Sequence, residues 1–385
     1  MTLTIVPTAV PLPQAAELLR EEIRNFLAAE GTAGSFVPRV DNWLQGWDPD
    51  FTRKLAVRGW VGMTIPTEYG GGGQSPLRRY VVIEELLASG APIAAHWIAD
   101  RQIAPSLLRY GSDYQKQRYL PGIARGEIYF GIGMSEPDAG SDLASVRTRA
   151  TQVDGGWRIS GTKVWTSGAH NAHAFFVLAR TEPLDTANRH AGLSQFIVEL
   201  RQPQIEVRPI RLLSGEQHFN EVIIDDLFVP DALVLGEIGS GWKQVTSELS
   251  YERSGPERIL STFPLLAAAI GELRRTDAAT SERARWGSLV GRLWTLRQLS
   301  ISIAGALSRG EQADTSAAVV KELGTRLEGD IVEAVAESFS TEPDPDGEGV
   351  PRMLAEAILQ MPGFTLRGGT NEILQGVIAR AIGLR

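Results

Sequence analysis

The sequence predicts a multidomain α+β protein in which a helical first third and a helical last third flank an all-β middle. Three observations carry that prediction. Apolar residues recur at helical spacing from Pro13 to about residue 125. Short β-branched or aromatic segments, separated by turn residues, then fill about 100 residues. Helical spacing returns from Gly241. A switch of period from 3.6 to 2 and back is the sequence signature of segregated helix and strand regions.

Taken in order, residues 1–11 form an aperiodic lead-in. From Pro13 to Glu30, Ala16, Leu18, Leu19, Ile23, Phe26 and Leu27 make one apolar stripe. A second helix spans 49–59, with Asp48 or Asp50 as N-cap and Gly59 as its stop. The run Ile65-Pro66-Thr67-Glu68-Tyr69-Gly70-Gly71-Gly72-Gly73 is a loop, because consecutive glycines leave no regular element stable. Helical patterns resume over 76–89, 91–111 and 112–125. The strand segments are 128–135, 145–153, 156–165, 173–181, 193–200, 204–210 and 217–228, enough for a barrel or sandwich. Asp154-Gly155-Gly156 turns a hairpin between two of them. The later helices cover 241–275, 281–309, 312–341, 351–361 and 370–383, with an exposed acidic loop at 341–349. The domains expected are 1–125, 126–235 and 236–385, and no internal repeat is visible.

Composition narrows the function. A chain of 385 residues exceeds one ordinary domain and can bury a large core. Hydrophobic content of 43% and a net charge of −8 describe a soluble globular protein with no basic excess for nucleic acid. Without cysteine there are no disulfides, thiolate metal ligands or thiol nucleophiles. The five histidines have no metal-ligand spacing; His170 and His173, the nearest pair, read as loop residues. No signal peptide and no apolar run long enough for a bilayer is present, so a cytoplasmic protein without a membrane partner is expected.

The chemistry-bearing stretch is 128–168. One strand runs into Ser135 and the turn Pro137-Asp138-Ala139-Gly140-Ser141, another into Trp165, Thr166 and Ser167. Small hydroxyls, free amides and an aromatic plane at two strand ends suit a flat cofactor with polar edges. Gly131-x-Gly133 is no dinucleotide fingerprint, because the third glycine is missing and a turn follows where a helix is needed. No P-loop, paired-His metal motif or G-x-S-x-G elbow occurs. An enzyme of this composition leaves its hard chemistry to an organic cofactor.

Several strings resemble the acyl-CoA dehydrogenase family of flavoproteins, in the family's order and over nearly the whole chain. They are IPTEYGGGG (65–73), YGSDYQKQRYLPGIARGE (110–127), SEPDAGSD (135–142), GTKVWTSGA (161–169), GSGWKQVTSELSYER (239–253) and RGGTNEILQGVIARAIGL (367–384). The resemblance implies an α-helical domain, a central β-barrel and a C-terminal four-helix bundle, with FAD between the β domain and the bundle. It implies α,β-dehydrogenation of an acyl-CoA thioester to the trans-2-enoyl-CoA. A carboxylate takes the α-proton, the β-hydrogen leaves as hydride to the flavin, and the electrons pass to an electron-transferring flavoprotein.

The resemblance also assigns residues. Met134 and Ser135 would bond the flavin ring, Trp165 would cover one of its faces, and Ser167 would reach its edge. Thr370 and Glu372 match positions that touch FAD near the adenosine or diphosphate. Ser141 would lie near the thioester or pantetheine. Standing alone, Trp165 would be a packed aromatic and the serines turn formers.

The base departs from the commonest pattern. Many family members carry a glutamate immediately before the Gly-Thr of the C-terminal motif, where this chain has Gly368. A minority takes its glutamate from an earlier helix, directly before an arginine, and here that string reads Leu249-Ser250-Tyr251-Glu252-Arg253. Glu252 is therefore the expected base, Arg253 a structural or substrate-pocket residue, and Gly368 a donor to the thioester oxygen through its backbone N–H. The ordinary reading of Glu252 is an exposed helix carboxylate paired with Arg253 or Arg258. A base on the earlier helix often accompanies branched or bulky acyl groups in the family, which points to a bulky or steroid-side-chain acyl-CoA.

The family's Arg-x-x-Phe-Gly string at the second bundle helix is weakly matched by residues 281–287, and its glycine-rich string before the C-terminal motif is missing. A homotetramer is expected on the resemblance, with an α2β2 heterotetramer as the alternative. Two rival functions stay open: a partner subunit with an incomplete FAD site, and a flavin monooxygenase or nitroalkane-oxidase-like relative.

Overall fold

The computed structural model describes residues 7–253, 255–275, 280–311, 313–339 and 342–384; the side chains of residues 249–252 are outside the described set. The helices before the sheet are α1 (Gln14–Thr32), α2 (Asn42–Gln45), α3 (Pro49–Val57), α4 (Pro76–Ala88), α5 (Ala94–Ile98), α6 (Ala104–Tyr110) and α7 (Asp113–Ala124). The strands are β1 (Phe130–Gly133), β2 (Arg149–Val153), β3 (Gly156–Lys163), β4 (Ala174–Arg180), β5 (Leu193–Glu199), β6 (Ile205–Ile210), β7 (Phe219–Pro230) and β8 (Val234–Leu235). After them come α8 (Gly241–Arg253), α9 (Phe263–Leu273), α10 (Thr280–Ser308), α11 (Asp314–Ser338), α12 (Gly349–Phe364) and α13 (Asn371–Ala381).

The residues gather into two units, 1–43 with 75–92 and 252–385, and 44–74 with 93–251. Both are built from non-contiguous stretches, whereas the segments expected from the sequence follow chain order.

In the second unit the sheet order is β6-β7-β3-β2-β4-β5-β8, with β1 added in parallel to β4. The β2–β3 hairpin pairs Val153 with Gly156, and Gly155 takes φ +72 in the turn. That left-handed conformation is what the glycine provides. Every residue of β4 is buried. Phe175, Val177 and Ala179 join the core formed with Phe196, Val222 and Ile224. Ala174 and Phe176 point the other way and pack with Leu107 of α6 and with Tyr119, Leu120 and Ile123 of α7. Helices thus cover one face of the central strand, which explains an apolar run without polar alternation. Asp48 caps α3 by accepting from the Phe51 N–H at 2.8 Å, and Ser112 with Gln115 forms a capping box on α7.

Two expected helices are interrupted. The 91–111 pattern contains a π-helical turn at Ala99–Ile103 between α5 and α6. It buries Asp100, whose carboxylate accepts the Gly62 N–H at 2.8 Å. Periodicity does not register such a one-residue widening. The 241–275 pattern stops at Arg253, turns through a 3-10 segment at Pro256–Arg258 and resumes at Phe263. Pro256 has no N–H to continue a helix and disfavours helical backbone in the residue before it.

In the first unit α11 packs against α10, α12 and α13, and α10 also packs against α4, which α1 covers. A buried ion network joins three of these helices: Arg20 of α1 contacts Glu84 and Glu85 of α4, and Arg297 of α10 holds Glu84 at 2.6 Å. Thr341, at the head of the acidic loop, lies outside the described residues.

Candidate active site

In the sheet-containing unit the ends of β1 and β3 lie side by side. The Val164 N–H donates to the Ser135 carbonyl at 2.9 Å. Lys163, with 0% of its surface exposed, donates through Nζ to the Met134 carbonyl at 3.1 Å and to Glu136 Oε1 at 2.8 Å. The Glu136 carboxylate also accepts the N–H groups of Arg147 (2.6 Å) and Thr148 (2.8 Å). Burial pushes the Lys163 ammonium down, to about 8, even against the opposing pull of Glu136. Burial alone would raise the Glu136 carboxyl; Lys163 and the two N–H donors outweigh it and hold the group below the ordinary carboxylate range.

Glycines make this approach possible. A Cβ on Gly133 would sit 2.7 Å from the Phe175 ring, and one on Gly131 would sit 3.2 Å from Thr166 Cγ2. The Gly131-x-Gly133 pair therefore serves strand packing.

Beyond Lys163 the chain turns sharply. Trp165 adopts φ +61, a left-handed conformation unusual for a large side chain. Its ring meets Phe219 edge-on at 5.8 Å and is otherwise open, with 52% of the residue exposed. The following residues are strapped to β7 and its approach: the Thr166 N–H donates to the Asn220 carbonyl at 3.0 Å, Asn220 Nδ2 donates to the Thr166 carbonyl at 2.9 Å, and the Gly168 N–H donates to the His218 carbonyl at 2.7 Å. Backbone held in a sparsely populated conformation by its surroundings is a pointer to function. Met134, Ser135, Trp165 and Ser167 are thus brought together. Ser141 lies on the exposed turn beyond Glu136, which is closed by Glu136–Ala139 backbone bonds of 3.0 and 3.1 Å.

A flavin ring fits this platform. The Trp165 face is open, Thr166 Oγ1 is buried without a hydrogen-bond partner, and no protein group bonds the Ser135 or Ser167 hydroxyl among the described residues. His170 and His173 are taken up locally: His170 Nδ1 pairs with Asn220 at 3.0 Å, and His173 Nδ1 accepts the Tyr129 N–H at 3.1 Å.

The other residues assigned from the sequence lie in the helical unit. Gly368 and Gly369 take φ +70 and +89, and their N–H groups have no hydrogen-bond partner among the described residues. Arg253 Nε donates to the Gly368 carbonyl at 3.0 Å. On the preceding side, the Arg367 guanidinium pairs with Asp41, donates to Ser261 Oγ at 3.0 Å, and lies over the rings of Trp43 (4.7 Å) and Phe364 (5.1 Å). Asp41 itself has φ +57 and is buried. Nearby Glu328 accepts the Ser261 N–H at 2.7 Å; burial pushes its carboxyl up to about 7 against the pull of Arg367. The diglycine is therefore gripped from both sides by arginines.

Thr370 is the N-cap of α13, its hydroxyl accepting the Ile373 N–H, and Glu372 stands in the first turn. Its own backbone N–H and the Thr370 hydroxyl hold the Glu372 carboxyl below its ordinary range. Arg258, one ordinary partner considered for Glu252, is buried over Trp43 at 5.5 Å. Glu252 falls in the last turn of α8, and its side chain lies outside the described residues.

Four residues of this arrangement lie outside the candidates drawn from the sequence. Glu136 and Lys163 sit inside the SEPDAGSD and GTKVWTSGA strings, where a lysine in an otherwise half-buried strand was the available signal. Arg367 adjoins Gly368 but carries no pattern of its own. Asp41 has none.

Among the described residues no group of His, Asp and Glu is arranged to hold a metal ion, and no helix is long and apolar enough to cross a membrane.

Comparison with known proteins agrees with this architecture. Residues 13–127 match the acyl-CoA dehydrogenase N-terminal domain, and residues 131–227 match the acyl-CoA dehydrogenase middle domain. The chain is 33% identical over 390 residues to acyl-CoA dehydrogenase IpdE1 of Mycobacterium tuberculosis, covering 96% of this chain and 98% of that one. It is 35% identical over 345 residues to acyl-CoA dehydrogenase FadE34 of the same organism, covering 86% of this chain but 45% of that longer protein. Among solved structures it superposes on the Tcur3481-Tcur3483 steroid acyl-CoA dehydrogenase with a TM-score of 0.85 at 27% identity, covering 98% of this chain and 100% of that one. The ChsE4-ChsE5 complex from Mycobacterium tuberculosis gives 0.81 at 25% identity, with 98% and 100% covered. The chain belongs to the acyl-CoA dehydrogenase family, a typically FAD-dependent family of oxidoreductases, and its activity class is that of an acyl-CoA dehydrogenase.

Proposed function

We propose that this chain oxidises a bulky, steroid-derived acyl-CoA at Cα–Cβ to the trans-2-enoyl-CoA, with FAD as cofactor and Glu252 as the base. The observation that carries the flavin part is the strand-end platform, where Trp165 is held open at φ +61 beside Ser135 and Ser167. Met134, Ser135, Trp165 and Ser167 would hold the ring system, and Thr370 and Glu372 would serve the adenosine or diphosphate end. Bound FAD supplies an acceptor for the β-hydrogen and its electron pair.

The α C–H beside a thioester is a weak acid, so its removal requires an oriented carboxylate and donors for the charge that develops on the carbonyl oxygen. Glu252 would take the proton. It directly precedes Arg253, whose guanidinium holds the Gly368 carbonyl. Gly368 has no side chain to act as base, but its N–H, without a hydrogen-bond partner among the described residues, would be available to the thioester oxygen. Its φ of +70 also disfavours any side chain there, a physical reason for the base to come from elsewhere. Ser141 would stand near the thioester or pantetheine.

The bulky substrate rests on the base position and on the relatives described as steroid acyl-CoA dehydrogenases. Anaerobic mixing with acyl-CoAs of increasing bulk tests it: a ring-bearing acyl-CoA should bleach the flavin fastest, and preference for short straight chains would overturn the substrate class. Glu252→Gln should keep FAD and bind the same acyl-CoA yet lose about 10²–10⁴-fold in bleaching rate; an unchanged rate would remove Glu252 from the mechanism. Release of electrons to an electron-transferring flavoprotein completes the proposed cycle.

A second reading is supported by relatives described as two-chain assemblies: this chain is one subunit of a heteromeric enzyme. It predicts colourless protein when the chain is expressed alone and flavin only on co-expression. A yellow homotetramer would refute it.

A further inference from the structure

We propose that the buried Lys163–Glu136 ion pair is the positioning element of the flavin platform, fixing the Met134–Ser135 strand end against the Trp165–Ser167 strand end. The inference rests on the flavin reading above. Neither side chain has a surface of its own to present: Lys163 is 0% exposed and Glu136 is 7% exposed. What they touch is the backbone that carries the candidate contacts. Lys163 Nζ donates to the Met134 carbonyl at 3.1 Å and to Glu136 at 2.8 Å. Glu136 follows Ser135 directly, and its carboxylate gathers the Arg147 and Thr148 N–H groups at 2.6 and 2.8 Å. Lys163 precedes Trp165 by two residues, and its stem passes where a Cβ on Gly133 would meet Lys163 Cγ at 3.1 Å. One ammonium therefore ties both strand ends and the 147–148 backbone to a single point.

A pair needed only for stability would be hard to rationalise on energy alone. Replacing a buried ion pair by neutral groups of similar volume is often neutral or stabilising, whereas removing one partner is strongly destabilising. The pair's distinctive contribution is the placement of the Met134 carbonyl and Ser135, which a methionine at 163 would not reproduce.

The test compares wild type, Glu136→Gln, and the double variant Glu136→Gln with Lys163→Met, reading both thermal unfolding of the apo chain and FAD affinity by quenching of flavin fluorescence. The single variant leaves Lys163 unpaired and should unfold at a clearly lower temperature. In the double variant the melting temperature should return towards wild type while FAD binds at least tenfold more weakly, with a shifted flavin absorption band. Recovery of stability and FAD affinity together would overturn the inference and leave the pair a packing element. Failure of the wild-type chain itself to bind FAD would instead overturn the flavin reading, and the positioning inference with it.

Discussion

The two regions that carry the candidate chemistry are held in opposite ways. The platform of Met134, Ser135, Trp165 and Ser167 hangs on sheet backbone: β1 on β4, β3 on β7, and cross-bonds such as Val164 N–H to Ser135 O. A single buried ion pair finishes it. The Gly368-Gly369 segment has no ladder. Its two glycines are in left-handed conformations, and what fixes them is side-chain charge: Arg253 on the Gly368 carbonyl, and Arg367 locked to Asp41, Ser261 and two aromatic rings. Backbone ladders tolerate side-chain change because the main chain supplies their bonds, whereas a charge-held loop depends on a few groups, each costly to strip of its partner.

That contrast is open to attack, most strongly at Arg367. Arg367→Met leaves Asp41 buried without its cation and should cost about 3–5 kcal/mol of stability in urea unfolding. A loss no larger than that of an exposed-arginine variant would mean the diglycine is held by something else. Next in size is the pH response. Glu328 is raised to about 7 in the folded protein from an ordinary 4.5, so the native state binds its proton more tightly than the unfolded chain does. Its contribution to stability is fully present below about pH 4.5 and is lost as pH rises through about 7. Glu328→Gln should flatten that decline and be relatively more stable than wild type at pH 8; parallel melting-temperature profiles for the two proteins would count against the shift.

Smaller is Gly368→Ala, which places a Cβ at φ +70 and should cost about 1–2 kcal/mol. On the proposed mechanism it should also lower kcat more than it raises KM, because the N–H it disturbs serves the developing oxyanion; a pure KM effect would argue for ground-state binding only. The smallest expected effect is Thr370→Ala, which removes the α13 N-cap at about 1 kcal/mol and is read from thermal unfolding. On the platform side, a comparable cap such as Asp48→Ala on α3 should cost a similar amount while leaving FAD affinity unchanged.

Much of the fold was legible because it is local. Helical stripes, the capping signal at Asp48, and the hairpin at Asp154-Gly155 depend on residues a few positions apart. The π-helical turn at Ala99–Ile103 was harder, since it changes the chain by a few residues without erasing the apolar rhythm around it, whereas the Gly255-Pro256 pair is a local breaker that signals the break after Arg253. For the candidate site, the motif strings brought Ser135, Trp165 and Gly368 into view, but nothing in them said how those residues are held.

By itself, then, the sequence determined the order of helices and strands, the strand ends rich in small hydroxyls, and the absence of a carboxyl at 368, because these are properties of composition and short-range spacing. Only the tertiary structure decided that Lys163 and Glu136 are one buried pair, that Trp165 stands open at φ +61, and that Asp41 and Arg367, 326 residues apart, grip the same loop. The physical reason is that a buried charge is stable only beside its partner, and the partner's position in the chain is set by folding, over distances no local pattern encodes.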